Sequence, residues 1–239
     1  MNSMLFKTPE EHANFVANEV ATLLSAAIKS RGQAVLAVSG GKSPILLFEA
    51  LSIQSIAWRF VTVFLVDERW VLPDDERSNE KLVRAHLLQR NAADAKFISV
   101  REAGDTPAAA ADALSVMFVD SPALAKLSNG VDVAVLGIGE DGHTASWFPR
   151  SRELQTCFSS TRAYEAVSAE EGRDARVTMT LSSVSAAHKI FICAEGETKR
   201  MVLANAQGAG SVEQYPVRAV LRLPSDSDND NNKVAIRLT

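Results

Sequence analysis

The feature that most constrains the fold is a series of short apolar runs, each followed at once by glycine or ionisable residues. The runs are Val35 to Val38, Val61 to Val66, Val131 to Leu136 and Lys189 to Ala194. Uninterrupted apolar runs of this length are typical of strands buried on both faces of a parallel sheet. Segments with helical character separate them. This alternation predicts a single α/β domain over residues 1–239, a doubly wound, mostly parallel sheet with helices on both faces.

Capping signals place several of the helices. Thr8 and Pro9 are a typical helix start, because threonine caps well and proline is tolerated in the first turn. Ser78 and Ser182 are predicted to cap two further helices. The tract at 225–232, SDSDNDNN, predicts a mobile polar loop, because it has no apolar residue to bury.

The composition argues against several classes of function. A net charge of −4 offers no electrostatic case for a nucleic-acid partner. No apolar run approaches the roughly 18 residues of a membrane span, and the N-terminus lacks the apolar core of a signal peptide. Cys157 and Cys193 form no disulfide framework, and no residues show metal-ligand spacing. We therefore expect a cytoplasmic protein without metal or cofactor, a monomer or small homo-oligomer.

The loop after the first run, Ser39 to Pro44, has the composition of an anion site. Its two glycines let backbone N–H groups approach a phosphate, and the helix that follows adds the positive end of its dipole. Ser39 and Ser43 supply hydroxyl donors. The spacing is neither that of a P-loop nor that of a Rossmann fingerprint. On its own, the loop is equally consistent with a tight strand-to-helix turn.

Ionisable residues follow the second and third runs. Asp67, Glu68 and Arg69 come directly after Val66, and the third run leads into GIGEDGH, which ends at His143. Because parallel strands deliver their carboxyl ends to one edge of a sheet, we expect these groups to share a crevice. A histidine beside carboxylates can act as a general base near neutral pH. The plainer alternatives are a solvated turn with weak ion pairs and a histidine that only caps its loop.

Two further basic residues lie on or just after predicted strands. Arg176 shares one face of the RVTMTL segment with Thr178 and Thr180, and Lys199 follows the fourth apolar run. Basic residues, an anion-binding loop and an Asp/His cluster at one sheet edge suit a small phosphorylated substrate. No GxSxG elbow is present, so a serine triad is not supported.

Five segments together, SGGKSP, VDERWV, GIGEDGHTASWFP, RVTMTL and GETKR, resemble the 6-phosphogluconolactonase family. The resemblance extends from about Val35 to Leu223. Glucosamine-6-phosphate deaminases have a similar glycine loop but a tyrosine-type segment where this chain has Arg69-Trp70. Ser43 stands where threonine is usual, and the C-terminal segment departs from the aromatic-rich ending of the family.

The resemblance implies metal-independent hydrolysis of 6-phospho-D-glucono-1,5-lactone to 6-phosphogluconate in the pentose phosphate pathway. It implies that His143 activates water, that Asp67 and Asp141 orient it or bind sugar hydroxyls, and that Arg69 stabilises carbonyl charge or binds substrate. The implied phosphate-binding residues are Ser39, Gly40, Gly41, Lys42, Ser43, Arg176 and Lys199. The rest of the implied substrate pocket is Glu68, Gly139, Gly142 and Thr144. The alternatives are a deaminase-like isomerase and a sugar-phosphate sensor, the latter weakened by the absence of a helix-turn-helix segment.

Overall fold

The computed structural model describes residues 2–120, 130–224 and 233–239. The predicted mobile loop at 225–232 lies outside the described residues. The strands are β1 (Asn2–Leu5), β2 (Ala34–Val38), β3 (Val61–Leu65), β4 (Asp67–Arg69), β5 (Lys96–Phe97), β6 (Val133–Gly137), β7 (Tyr164–Val167), β8 (Arg176–Met179), β9 (Lys189–Ala194) and β10 (Val234–Leu238). The α-helices are α1 (Pro9–Arg31), α2 (Ile45–Ser52), α3 (Asn79–His86), α4 (Pro107–Asp120), α5 (Leu154–Ser159), α6 (Leu181–Ser185), α7 (Glu197–Gln207) and α8 (Arg218–Leu221).

Seven strands form one parallel sheet in the order β1-β10-β9-β6-β2-β3-β5. This confirms the predicted mostly parallel α/β sheet. From β2 the chain first builds outward through β3 and β5, then returns to place β6 on the other side of β2. The strand order therefore reverses between β2 and β6. Such a point leaves a crevice outside the carboxyl ends of the strands, where ligands of open α/β sheets bind.

The core explains why the central strands are uniformly apolar. All five residues of β2 are buried, because neighbouring strands cover their edges and helices cover their faces. Helix α1 packs against β2, β6 and β10. Its buried stripe includes Val16, Val20 and Leu24, which recur at helical spacing. Thr8 caps this helix as predicted, since its hydroxyl accepts a hydrogen bond from Glu11 N at 3.1 Å.

A second, antiparallel sheet of three strands, β4-β8-β7, lies beside the first. No strand was predicted for Asp67, Glu68 and Arg69, which come directly after the second apolar run, and the plainer alternative, a solvated turn, does not hold. They form β4, in which Arg69 is paired with Arg176 of β8. Val66 joins the two sheets, because its N–H donates to Val38 O at 2.9 Å while its carbonyl accepts from Met179 N at 2.7 Å. Extended residues with free backbone groups pair readily once a partner strand is near.

Two local predictions also change. Helix α6 begins after Thr180, whose hydroxyl accepts from Ser183 N at 3.3 Å, so Thr180 and not Ser182 is its cap. Ser78 is confirmed as the cap of α3, with Lys81 N at 3.1 Å. The C-terminal segment, for which no element was predicted, forms β10 between β1 and β9. None of the described helices combines the length and the apolar character needed to cross a lipid bilayer.

Candidate active site

A cavity of about 320 Å³ lies at the carboxyl ends of β2 and β6, where the strand order reverses. Its size is within the range of about 300–1,000 Å³ that is usual for small-molecule sites. Twelve of the fifteen residues implied by the sequence resemblance line it: Ser39, Gly40, Gly41, Lys42, Ser43, Asp67, Arg69, Gly139, His143, Thr144, Arg176 and Lys199. The loop after β2, the loop after β6, the small sheet and α7 therefore contribute to one site.

His143 and Asp141 form a pair in the loop after β6. The imidazole Nδ1 lies 2.5 Å from Asp141 Oδ1, and the same oxygen accepts from His143 N at 3.1 Å. Partial burial raises the pKa of Asp141, but the hydrogen bonds and charge of His143 outweigh it, so this pKa lies below its ordinary value. An ionised Asp141 fixes the tautomer with the proton on Nδ1, which leaves Nε2 as the ring nitrogen that can accept a proton. Asp141 itself stands behind the histidine and does not line the cavity.

The imidazole approaches the loop backbone closely at Gly139. A Cβ atom at that position would lie 2.1 Å from His143 Nδ1 and 2.7 Å from Asp141 Oδ1. The turn is closed by Gly139 N, which donates to His143 O at 2.8 Å. Gly142 has a φ of 83° and packs against Tyr215 instead of lining the cavity. Glycine at these positions lets the loop fold tightly enough to hold the Asp141–His143 pair.

Asp67 occupies the opposite wall, where the small sheet meets the cavity. It is 6% exposed, and its Oδ2 accepts from Ser146 Oγ at 2.6 Å. Arg176 Nη1 lies 3.8 Å from the same oxygen. Burial lowers the pKa of Arg176, and the Asp67 carboxylate offsets part of that effect. A guanidinium remains protonated at neutral pH nonetheless. Asp67 and Arg176 therefore balance each other's charge without a hydrogen bond between them.

Four cations face the cavity: Lys42, Arg69, Arg176 and Lys199. Lys199 Nζ donates to Ser43 Oγ at 2.8 Å, which joins α7 to the glycine loop. Two buried polar atoms in the lining, Ser39 Oγ and Arg176 Nε, have no hydrogen-bond partner in the described structure. Buried donors without partners are costly, so their presence at a cavity indicates that a polar ligand completes them.

Glu68 does not line the cavity, although the resemblance implies it. Its carboxylate turns toward the start of α3 and accepts from Asn79 N at 2.8 Å, Glu80 N at 2.7 Å and Ser78 Oγ at 3.1 Å. Burial raises the pKa of Glu68, and the hydrogen bonds from the backbone N–H groups offset only part of that rise. An acid at a helix N-terminus satisfies amides that have no partner inside the helix. Glu68 thus fixes α3 to β4.

Several lining residues were not foreseen from the sequence: Asn79, Ala145, Phe148 and Cys193. Phe148 packs with its ring centroid 4.8 Å from that of His143, and the guanidinium of Arg173 stacks 3.9 Å above the same ring. Phe148 belongs to the segment GHTASWFP, which the sequence analysis singled out. Its packing against His143 could not be predicted from that segment. Ser146, which holds Asp67, lies in the same segment and was missed for the same reason.

The site offers little to a metal ion. Among residues 2–120, 130–224 and 233–239, no group of three or more His, Cys, Asp or Glu side chains is placed to bind one. What the lining offers instead is positive charge, hydroxyl and amide donors, and one histidine with an accepting nitrogen. This arrangement can bind an anionic oxygen ligand and transfer a proton to or from it.

Comparison with known proteins agrees with this chemistry. Residues 7–229 match the family described as glucosamine-6-phosphate isomerases/6-phosphogluconolactonase. A 6-phosphogluconolactonase of Rhizobium meliloti (strain 1021) is 41% identical, with 92% of this chain and 94% of that protein covered. A crystal structure of a 6-phosphogluconolactonase from Shewanella baltica OS155 superposes with a TM-score of 0.87 at 35% identity, covering 100% of this chain and 96% of the other. A monomeric glucosamine-6-phosphate deaminase gives a TM-score of 0.78 at 18% identity, covering 100% and 97%, which shows a shared fold only.

Proposed function

We propose that this chain, which belongs to the glucosamine-6-phosphate isomerase/6-phosphogluconolactonase family, hydrolyses 6-phospho-D-glucono-1,5-lactone to 6-phosphogluconate in the pentose phosphate pathway. The observation that carries the proposal is that His143, backed by Asp141, faces a cavity lined by four cations. The substrate carries a phosphate, which requires an anion-binding site, and a lactone carbonyl, whose hydrolysis requires a group that transfers protons. The cavity offers both. A cytoplasmic location, no nucleic-acid partner and a monomer or small homo-oligomer belong to the proposal as expectations.

Binding is assigned to the cationic side of the cavity. The glycine loop from Ser39 to Ser43, together with Arg176 and Lys199, holds the 6-phosphate. Ser39 Oγ and Arg176 Nε, both buried without partners in the described structure, support this assignment, because phosphate oxygens would accept from them. The Lys199–Ser43 hydrogen bond keeps the ammonium group beside the loop. Charge-assisted hydrogen bonds to phosphate are about twice as strong as neutral ones.

Hydrolysis is assigned to His143. Its Nε2 takes a proton from water as the water oxygen bonds to the lactone carbonyl carbon, and the resulting negative oxygen is stabilised by Arg69. The tetrahedral intermediate collapses with cleavage of the bond between the carbonyl carbon and the ring oxygen. The imidazolium then returns the proton to that departing oxygen, which becomes a hydroxyl. Asp141 stabilises the imidazolium between the two transfers, and Asp67 orients the water or binds sugar hydroxyls.

A coupled assay tests the proposal. The lactone is generated in situ from glucose 6-phosphate, and the wild-type chain is expected to accelerate its hydrolysis without added metal. His143→Asn retains a hydrogen-bonding side chain but cannot take a proton, so we expect kcat to fall by about 10²- to 10⁴-fold. Binding of 6-phosphogluconate should persist, because the phosphate is held elsewhere. Near-native turnover by the asparagine variant would mean that another residue is the general base.

The deaminase alternative predicts a different product. Release of ammonia from glucosamine 6-phosphate, with no acceleration of lactone hydrolysis, would refute the proposal and favour the isomerase branch of the family. Binding of 6-phosphogluconate with neither activity would favour a sensor.

A further inference from the structure

We propose that Asn79 is a positioning residue that holds Arg69 at the cavity without neutralising its charge. The inference rests on the proposed function, in which Arg69 meets an anionic oxygen of the substrate. Asn79 is the first residue of α3, is 3% exposed and lines the cavity beside Arg69.

The side-chain amide of Asn79 both donates and accepts a hydrogen bond. Its Nδ2 donates to the backbone carbonyl of Asp67 at 2.8 Å, and its Oδ1 accepts from Arg69 Nη1 at 2.9 Å. The carbonyl requires a donor and the guanidinium requires an acceptor, so a short side chain must supply one of each. An aspartate would place two acceptors together at Asp67, and an apolar side chain would leave the Asp67 carbonyl without this donor and Arg69 without this acceptor. The chemistry of the two partners therefore selects an amide.

The surroundings of Asn79 determine where that amide lies. Its backbone N–H donates to Glu68 Oε1 at 2.8 Å, so the buried carboxylate fixes the start of the helix. On the other side, a Cβ at Gly40 would lie 2.0 Å from Asn79 Oδ1, which shows how closely the glycine loop approaches. The side chain is thus confined between the glycine loop and β4, the two segments that carry the anion-binding groups.

The anchor of Arg69 is electrically neutral. Nη1 donates to Asn79 Oδ1 and also to the carbonyl of Arg77 at 2.8 Å. In the described part of the chain, no carboxylate lies within 4.0 Å of the Arg69 guanidinium, whereas Arg176 has Asp67 at 3.8 Å. Neutral acceptors orient a cation and leave its charge available to a ligand. In a partly buried site that charge acts through a lower effective dielectric than in water, so it stabilises an anionic oxygen more strongly.

A double-mutant cycle tests the inference. Asn79→Asp keeps the size of the side chain but replaces the donor to Asp67 O and sets a carboxylate against Arg69. We expect kcat/KM for the lactone to fall roughly 10- to 100-fold, the scale of one hydrogen bond to a charged group. In an Arg69→Ala background the same substitution should cost less, because only the contact with Asp67 O is then lost. The two losses should differ by more than about twofold, the limit within which independent sites add. An equal loss in both backgrounds would overturn the inference, since Asn79 would then act without Arg69.

Matched controls separate positioning from folding. Asn91→Asp makes the same chemical change at an exposed residue whose Nδ2 donates to Ile53 O at 2.8 Å, and it should leave kcat/KM unchanged. If Asn79→Asp does not fold, as judged by thermal unfolding, Asn79→Ala enters the same cycle, because it removes the anchor without adding charge. Additive losses for the alanine variant would likewise overturn the inference.

Failure of the proposed function is distinguishable from failure of this inference. A wild-type chain that does not hydrolyse the lactone would refute the function alone. The cycle would then be measured by calorimetry with 6-phosphogluconate as the probe. Loss of the Asn79→Asp effect in the Arg69→Ala background would support positioning there too, and an undiminished effect would refute it.

Discussion

Gly139→Ala places a methyl group where the catalytic pair approaches the backbone of its own loop most closely. The added Cβ would lie 2.1 Å from His143 Nδ1 and 2.2 Å from its Cε1, whereas ordinary van der Waals contact begins near 3.4 Å. Gly139 is not among the residues with positive φ, so alanine is compatible with its backbone conformation. The effect of the substitution should therefore come from the contact with the imidazole.

The size of the displacement sets the expected loss. Relief of the contact requires the ring to move by about 1.3 Å relative to Gly139, and the hydrogen bond from Gly139 N to His143 O, at 2.8 Å, resists movement of the loop. A shift of that size disrupts the 2.5 Å contact between Nδ1 and Asp141. Misplacement of a catalytic group by about 1 Å can cost around 10²-fold in rate. We expect kcat to fall about 100-fold while binding of 6-phosphogluconate changes little.

The coupled lactonase assay measures kcat, and calorimetry measures binding of the product. Gly208→Ala is the matched control, because Gly208 is exposed at the end of α7 and its φ is −73°. A Cβ there would approach only Asn205 O, at 3.3 Å. Near-native kcat in Gly139→Ala, with an unfolding temperature like that of wild type, would refute the reasoning. It would mean that the Asp141 contact does not govern proton transfer by His143.

Two further predictions concern charge. Because the pKa of Asp141 lies below its ordinary value, the carboxylate is ionised at neutral pH and favours the imidazolium that forms during turnover. Asp141→Asn removes the charge that favours the imidazolium, so kcat should fall in the coupled assay while binding of 6-phosphogluconate persists; an unchanged kcat would contradict the pairing. Arg176→Ala should raise KM for the phosphorylated lactone roughly 10- to 100-fold, the scale of a hydrogen bond to a charged group, and hardly affect unphosphorylated gluconolactone. Equal losses on both substrates would make Arg176 only the partner of Asp67.

The main sheet could be predicted because burial on both faces leaves a strong signal in the sequence. The run Lys189–Ala194 has the bounds of β9, and α1 begins at Pro9, where the Thr8-Pro9 pair predicts a helix start. The strand Asp67–Arg69 could not be predicted in this way. Its three charged residues have poor strand propensity, and the pairing partner lies more than 100 positions further along the chain. The strand forms because it pairs with the distant strand β8 in the folded protein.

The same distinction applies to the cavity. Residues at the ends of the apolar runs, such as Ser39 and His143, were placed by a general rule about parallel sheets and line the site as expected. Asn79 was not, because its local signal is that of any polar residue after a helix cap. Its partners, Asp67 O and Arg69 Nη1, come from a neighbouring strand and follow no sequence period. A residue whose function depends on two long-range hydrogen bonds leaves no pattern in a single chain.

Glu68 shows how a motif residue can serve a site from behind it. It stands between two lining residues, Asp67 and Arg69, but alternation along β4 turns its side chain away from the cavity. Its buried carboxylate is satisfied by amides at the start of α3, so the helix cannot shift along the strand without leaving a buried charge unpaired. The position of Asn79, and through it the orientation of Arg69, therefore depends on a group that does not line the cavity. Loss of Glu68 should accordingly disturb Arg69 and α3 together.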